Sequence, residues 1–163
     1  LAIGGLNDSK KLSAKKRDYL FEVIREKALD YAVGIVSHEE IDRINILQAT
    51  MKAAHEAVES LEVKPCHLLI DGNYSNFRDI PVTTVVKGDS RSCSIAAASI
   101  IAKVTRDRYM EGEAHDEFPG YHFNIHKGYA TKDHILMIRK YGPCRIHRQT
   151  FLTRIVPGQP SLF

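Results

Sequence analysis

Residues 82–107 constrain this chain more than any other stretch. Val82–Val86 (VTTVV) is β-branched and reads as a strand. It stops at Lys87-Gly88-Asp89. A helix over roughly 92–111 follows, carrying Ala96-Ala97-Ala98-Ser99, small side chains that permit close packing on a sheet. A second short apolar strand, His67–Ile70, terminates at Asp71, ahead of a Gly72-Asn73 turn. Strands alternating with helices predict an α/β domain, with these two strands buried in the sheet interior. Sites in such sheets form at the carboxyl ends of strands, where Asp71 and the Lys87-Gly88-Asp89 turn both sit.

The flanking sequence supplies the helical layers. Residues 4–12 are polar and turn-rich, hence a loop. Ser13 can cap a helix over 14–29, with Leu20, Ile24 and Ala28 on one face and Phe21 beside them. Tyr31–Val36 reads as a short strand. Ser37 and Glu40 form a capping box for a helix running to about Leu61. Along it Ile41, Ile44, Leu47, Met51, Ala54, Val58 and Leu61 recur every three or four residues, which predicts one continuous apolar stripe. Residues 112–130 hold Gly, Pro, His and aromatics and read as a long functional loop. Thr131 caps a helix to about Tyr141, and a short helix is expected near Arg148–Leu152.

Composition excludes several classes. The chain has 163 residues, 44% hydrophobic and 26% charged, which suits one folded domain with a real core. The longest apolar stretch, Ser94–Ala102, is too short and interrupted to span a bilayer. Three cysteines, Cys66, Cys93 and Cys144, form neither a CxxC nor a disulfide framework, so a reducing cytoplasm is the expected setting. The sequence holds no phosphate-binding GxxxxGK loop, no GxGxxG and no GxSxG, which removes support for nucleotide-hydrolysing motors, dinucleotide oxidoreductases and serine hydrolases. His122 and His126 are four apart but lie in the expected loop, outside any zinc-ligand pattern. A net charge of +3 does not by itself imply nucleic acid.

Three acids are candidates for chemistry. Asp71, at the end of a buried strand, suits a hard cation such as Mg²⁺ or Mn²⁺; its plain structural alternative is a turn-forming Asp. Asp89 opens the small-residue helix as a favourable anion, yet Lys87, Ser90 and Arg91 flank it with phosphate-seeking donors. Asp107 lies late in that helix, where the macrodipole disfavours it; a salt bridge to Arg106, Arg108 or Lys103 is its plain alternative. Two or more such carboxylates can bind metals that support phosphodiester cleavage. The scattered Lys and Arg residues are either a solvated surface or a phosphate-tracking groove. Tyr129 is either a partly buried loop aromatic or a stacking platform for sugar or base.

Taken together, five blocks are far more specific: GLNDSKKL at 5–12, LLIDGN at 68–73, KGDSRSCSIAAASIIAKVTRD at 87–107, HKGYATKDH at 126–134 and YGPCRIHR at 141–148. In this order and spacing the chain resembles bacterial ribonuclease HII, from Gly5 to about Phe151. The resemblance implies a ribonuclease H-like fold, a mixed sheet flanked by helices, with a small helical C-terminal part. It divides the chain into an α/β domain over 1–125, N-terminally incomplete, and a substrate-contacting helical segment over 126–163 packed on it. The implied activity is hydrolysis of RNA in RNA–DNA hybrids. Nicking on the 5′ side of single ribonucleotides in duplex DNA is also implied, leaving 3′-hydroxyl and 5′-phosphate ends. Four acids with Mg²⁺ or Mn²⁺ serve that activity in the family. Asp71 matches the third, Asp107 the fourth, and Asp89 a supporting acidic position. Tyr129 matches a tyrosine that packs on the sugar next to the ribonucleotide and helps sense the RNA–DNA junction. Asn7, Lys10, Asn73, Lys87, Ser90 and Lys103 fall in motifs lining the substrate groove. The expected partners are RNA–DNA hybrid and ribonucleotide-containing duplex DNA; the protein is expected to be a cytoplasmic monomer without membrane contact.

One departure stands out. The family's first two acids lie in an Asp-Glu-Ala-Gly-Arg-Gly strand that should precede GLNDSKKL, and nothing in this sequence matches it. Roughly 30–40 further residues are therefore expected upstream, enough for two strands and their connections. The 163 residues alone are expected to lack metal-dependent cleavage. Three other readings stay open: a non-catalytic hybrid-binding module, a Mg²⁺-dependent phosphomonoesterase, and the related ribonuclease HIII. The tail Pro157–Phe163 loosely resembles a sliding-clamp peptide, against the plain alternative of a frayed terminus.

Overall fold

The computed structural model describes residues 3–6, 8–152 and 155. Its elements in order are α1 (Ala14–Lys27), α2 (His38–Ser60), β1 (Leu68–Asp71), β2 (Val82–Val85), α3 (Cys93–Glu111), α4 (Glu113–Glu117), α5 (Phe123–His126), α6 (Lys132–Tyr141) and α7 (Gln149–Leu152). Short 3-10 turns cover Gly88–Ser90 and Pro119–Tyr121. Asn7 and the Pro157–Phe163 tail lie outside the described residues. The chain forms two compact units, one of Leu1–Ile35 with Thr50–Thr105, the other of Val36–Ala49 with Arg106–Phe163.

In the first unit β1 and β2 pair in parallel, Leu68 opposite Val82 and Asp71 opposite Val85. Both strands were expected to be buried, and neither is: β1 alternates between half-buried and exposed, with Leu69 45% exposed, and Thr83 and Thr84 of β2 are both exposed. The reason is that, among the described residues, the sheet has only these two strands. Each outer edge lacks a neighbour to cover it. Residues 31–36 likewise form no strand, because no described segment offers them a ladder. The core of this unit is instead helical: Leu20, Phe21 and Ile24 of α1 pack with Ile100, Ile101 and Val104 of α3. Leu20 and Ile100 are fully excluded from solvent, each worth about 2–3 kcal/mol in apolar burial. Gly34 is required where it stands, since any Cβ there would run into the Ala53 carbonyl oxygen.

Local chemistry sets the helix starts as read. Ser13 accepts from the Lys16 amide and Thr131 from the His134 amide. The capping box at Ser37 is half made: Ser37 Oγ accepts from the Glu40 amide, but the Glu40 carboxylate turns to Arg43 instead. The single stripe expected along α2 is broken. Asn45 leaves the helix at φ 68° and ψ 164°, and its Oδ1 accepts from the Leu47 and Gln48 amides, capping the second half anew. The phase shifts, so Ala49 and Met51 are buried while Leu47 is exposed.

In the second unit, 112–130 is not a loop. It folds as α4, a 3-10 turn and α5, because Tyr121 and Phe123 supply enough apolar surface to anchor it. Phe123 is 1% exposed, Tyr121 stacks on it at 5.6 Å, and Met110, Ala114, Ile138 and Leu152 complete the core. Asp42 accepts from the Gln149 amide and the Thr150 hydroxyl, both at 2.6 Å, and so holds the start of α7.

Candidate functional site

Asp71 is the last residue of β1, and its carboxylate is reached from the turn that follows β2. The Gly88 amide donates to Asp71 Oδ1 at 2.7 Å, and the Gly72 amide donates to the Val85 carbonyl at 3.0 Å. Lys87 enters that turn in the left-handed region at φ 55°. The Ser90 hydroxyl donates back to the Lys87 carbonyl at 2.9 Å, and Arg91 reaches the Val86 carbonyl. Gly88 is buried because a Cβ there would sit 2.5 Å from Ile95 Cδ1 and 3.3 Å from Asp71 Oδ1. One turn thus presents Asp71, Lys87 and Ser90 at one sheet end, all exposed, with Asn73 exposed in the bend just after β1. Asp89 does not open α3 as expected. It lies in the first turn of the separate 3-10 helix Gly88–Ser90, four residues ahead of the α3 start at Cys93.

Lys10 belongs to the other approach in this unit. Its amide and that of Lys11 donate to Asp8, forming a local turn that leaves Lys10 exposed. The Arg17 guanidinium clamps the same loop through the Ser9 and Leu12 carbonyls. Lys103 lies half-buried on α3, and Asp107 is one helical turn further along.

Asp107 and Tyr129 belong to the second unit. The Asp107 side chain is 14% exposed, with Arg106 Nη1 3.7 Å from Oδ1. The Arg106 guanidinium lies over the Tyr129 ring at 5.2 Å from its centroid, and Tyr129 stays 50% exposed. The chain turns there through two consecutive left-handed residues, Lys127 and Gly128. Gly128 suits that position twice over: φ is 74°, and a Cβ would meet Met110 Cε at 3.1 Å. The Lys127 ammonium pairs with Glu111 at 2.7 Å and with the Asn124 and Ile125 carbonyls.

Three histidines behind Tyr129 were not singled out from the sequence as a group. His126, His134 and His147 are all buried, and burial pushes each toward the neutral form, His134 down to about 4. Their spacing in HKGYATKDH hinted at a cluster, but His147 comes from the next block. His122, read with His126 as a pair, turns instead to Asp133 at 3.0 Å.

Among the described residues no three His, Cys, Asp or Glu side chains are gathered as a metal site. In donor chemistry Asp71 and Asp107 fit a hard divalent cation, since both are carboxylates, the oxygen donors Mg²⁺ and Mn²⁺ take. Cys66, Cys93 and Cys144 are free thiols, and no helix among the described residues is long and apolar enough to cross a membrane.

The fold is of the ribonuclease H-like α/β class. The solved ribonuclease H2 of Pyrococcus horikoshii OT3 superposes on it with a TM-score of 0.74 at 26% identity, over 93% of this chain and 80% of that one. A family model described as Ribonuclease HII matches residues 1–154. Ribonuclease HII of Bacteroides thetaiotaomicron is 55% identical over 147 residues, 90% of this chain and 73% of that protein. Ribonuclease HII of Clostridioides difficile is 54% identical over 154 residues, 94% of this chain and 60% of that protein. The chain belongs to the ribonuclease HII family.

Proposed function

We propose that the protein is a divalent-metal-dependent endoribonuclease. It hydrolyses the RNA strand of RNA–DNA hybrids and nicks on the 5′ side of ribonucleotides embedded in duplex DNA, leaving 3′-hydroxyl and 5′-phosphate ends. The observation that carries this reading is the strand-end arrangement of Asp71, held by the Gly88 amide on the turn that bears Lys87 and Ser90. A strand-end carboxylate beside a turn of phosphate-seeking donors suits a phosphodiester.

In this reading Asp71 and Asp107 would each offer carboxylate oxygens to Mg²⁺ or Mn²⁺, with Asp89 in support. When bound, such an ion polarises the scissile phosphate and lowers the pKa of a water. The chain's own groups do the rest. Lys10, Lys87 and Lys103 neutralise flanking phosphates, with Asn7, Asn73 and Ser90 adding polar contacts that set register without reading base sequence. Tyr129, braced by Arg106, offers its exposed ring to the sugar beside the ribonucleotide. The helical segment over 126–163 is the part that touches substrate around that sugar. In this reading the protein acts as a monomer in the cytoplasm.

Asp71 and Asp107 correspond to two of the four acids that the family resemblance implies, and no residue of this sequence matches the other two. The test is a labelled DNA duplex containing one ribonucleotide, incubated with the protein and Mn²⁺ or Mg²⁺. A nick 5′ of the ribonucleotide with a ligatable 3′-hydroxyl supports the reading. Release of free phosphate from a terminal phosphomonoester, with the duplex intact, would replace it by a phosphatase.

A further inference from the structure

Two of the buried imidazoles, His147 and His134, form a hydrogen-bonded chain from the Cys144 backbone to the Tyr129 carbonyl, and the third, His126, stacks on His134. His147 Nδ1 lies 2.9 Å from the Cys144 amide nitrogen, 3.0 Å from Cys144 Sγ and 3.2 Å from the Cys144 carbonyl; taking the shortest of these, Nδ1 accepts from the amide and Nε2 carries the proton. His147 Nε2–H then donates to His134 Nε2 at 3.0 Å. In that arrangement His134 carries its proton on Nδ1, which donates to the Tyr129 carbonyl at 3.0 Å, an oxygen that also accepts from the Thr131 amide at 2.7 Å. The His126 ring stacks on His134 at 4.3 Å. His126 Nε2–H donates to the Tyr121 carbonyl at 2.7 Å, while its Nδ1 accepts from the Gly128 amide at 3.2 Å. The Tyr129 amide in turn donates to the His126 carbonyl. All six ring nitrogens are satisfied in one proton arrangement, and every ring is neutral. An apolar core would fill this space at lower cost in desolvation. What imidazoles add is direction: they fix the residue whose side chain lies exposed beside Arg106.

We propose that His134 is a positioning residue for Tyr129, its Nδ1–H holding the Tyr129 carbonyl so that the ring meets the sugar at the RNA–DNA junction. The proposal rests on the reading of Tyr129 as a substrate contact given above. His134 touches no substrate itself. It acts by fixing the backbone from which Tyr129 projects, and His147 fixes the tautomer that makes this possible.

Two substitutions separate positioning from packing. The amide nitrogen of Asn occupies the place of the donor Nδ1, and the amide oxygen of Gln can take the place of the acceptor Nε2. His134→Asn therefore keeps the bond to the Tyr129 carbonyl and loses His147; His134→Gln does the reverse. For each variant, kcat and KM are measured on a single-ribonucleotide duplex and on a continuous RNA–DNA hybrid. His134→Gln is expected to lower kcat/KM on the junction substrate by roughly tenfold and leave the hybrid within about twofold, since small misplacements of a positioning group cost that much. His134→Asn is expected to stay near the parent on both. In a Tyr129→Ala background His134→Gln should add nothing further on the junction substrate. Equal losses for Asn and Gln, or full additivity with Tyr129→Ala, would overturn the proposal. If Tyr129→Ala itself leaves junction preference unchanged, the substrate-contact reading of Tyr129 fails; if it abolishes that preference while His134→Gln is silent, only the positioning role fails. Should either variant not fold, ¹⁵N spectra of the parent decide: an Nδ1-protonated His134 at neutral pH is expected, and an Nε2-protonated ring refutes the relay.

Discussion

The Gly88 amide donates to Asp71 Oδ1 at 2.7 Å, joining the end of β1 to the turn before α3 across seventeen residues of chain. The contact exists because position 88 carries no side chain. Gly88→Ala places a Cβ 2.5 Å from the buried Ile95 Cδ1. The expected cost is about 1–3 kcal/mol of stability, typical of an overpacked interior, with the Asp71 carboxylate displaced as well. Urea unfolding measures the first, and turnover relative to the parent measures the second. An unchanged midpoint would show that the turn relaxes freely.

Asp71→Asn keeps an oxygen to accept from Gly88 and removes the negative charge. Turnover in the metal-dependent assay is expected to fall by at least about a thousandfold, within the range lost when a key electrostatic group is removed. Hybrid binding, read by fluorescence anisotropy, should change little. Full activity in this variant would remove Asp71 from the metal site.

Lys87 should contribute through charge alone. Affinity for hybrid is expected to fall as salt rises, and Lys87→Ala should flatten the log–log slope by about 0.7–0.9, the effect of one lost phosphate contact. Titrations at several salt concentrations give the slope directly. A slope equal to that of the parent would place Lys87 away from the phosphates.

Acid should unfold the second unit through its histidines. Burial holds His134 down to about 4, against an ordinary value near 6.5, with His126 and His147 lowered by the same cause. Asp133 opposes the shift of His134, while His126 and His147 reinforce it. Below pH 6.5 the unfolded chain takes up protons that the folded one refuses. The stability associated with the neutral ring is therefore complete above about 6.5 and is lost as pH falls toward 4, by about 2 kcal/mol for His134 after allowing for solvent screening. Asp42 works in the same direction. Burial alone would raise its carboxyl, but the Thr150 hydroxyl and the Gln149 and Thr150 amides hold it below the usual range, so its contribution is also lost in acid. Unfolding midpoints between pH 7 and 4 measure the sum. In a His134→Asn variant the pH dependence should be shallower; an unchanged slope would clear His134 of responsibility.

Asn45 combines an unusual backbone with a cap. Its φ of 68° with ψ of 164° lies in a region nearly reserved for glycine, while its side chain serves the Leu47 and Gln48 amides. Asn45→Ala should cost about 2–3 kcal/mol, from a lost cap and added strain, whereas Asn45→Gly should stay within about 1 kcal/mol of the parent. Thermal melts of the two variants distinguish them, and equal melting temperatures would mean the kink carries no strain.

Features written in neighbouring residues were legible from the amino acids. The starts of α1 and α6 follow from Ser13 and Thr131, each meeting an amide three residues on. The end of β1 at Asp71 and the small-residue helix were read nearly to the residue. Errors arose where a partner lies far along the chain. Residues 31–36 have strand-like composition, but a strand needs a neighbour's hydrogen bonds. The helices within 112–130 depend on Tyr121 and Phe123 meeting Ile138 and Leu152, which no local window shows. The α2 stripe failed at one residue, because periodicity cannot see that Asn45 leaves the helix.

By itself the sequence determined the chemistry available: carboxylates at defined places, lysines on turns, a tyrosine in the HKGYATKDH block, and the blocks that place the chain in its family. It could do so because caps, turns and strand ends are set by interactions within a few residues. Tertiary structure alone decided which of those groups are held in a fixed direction. Gly88 reaches Asp71, Arg106 lies over Tyr129, and His147 sets the tautomer of His134, all through contacts between distant residues. Burial then does what no residue type dictates: it keeps three imidazoles neutral, so that their hydrogen bonds point one way.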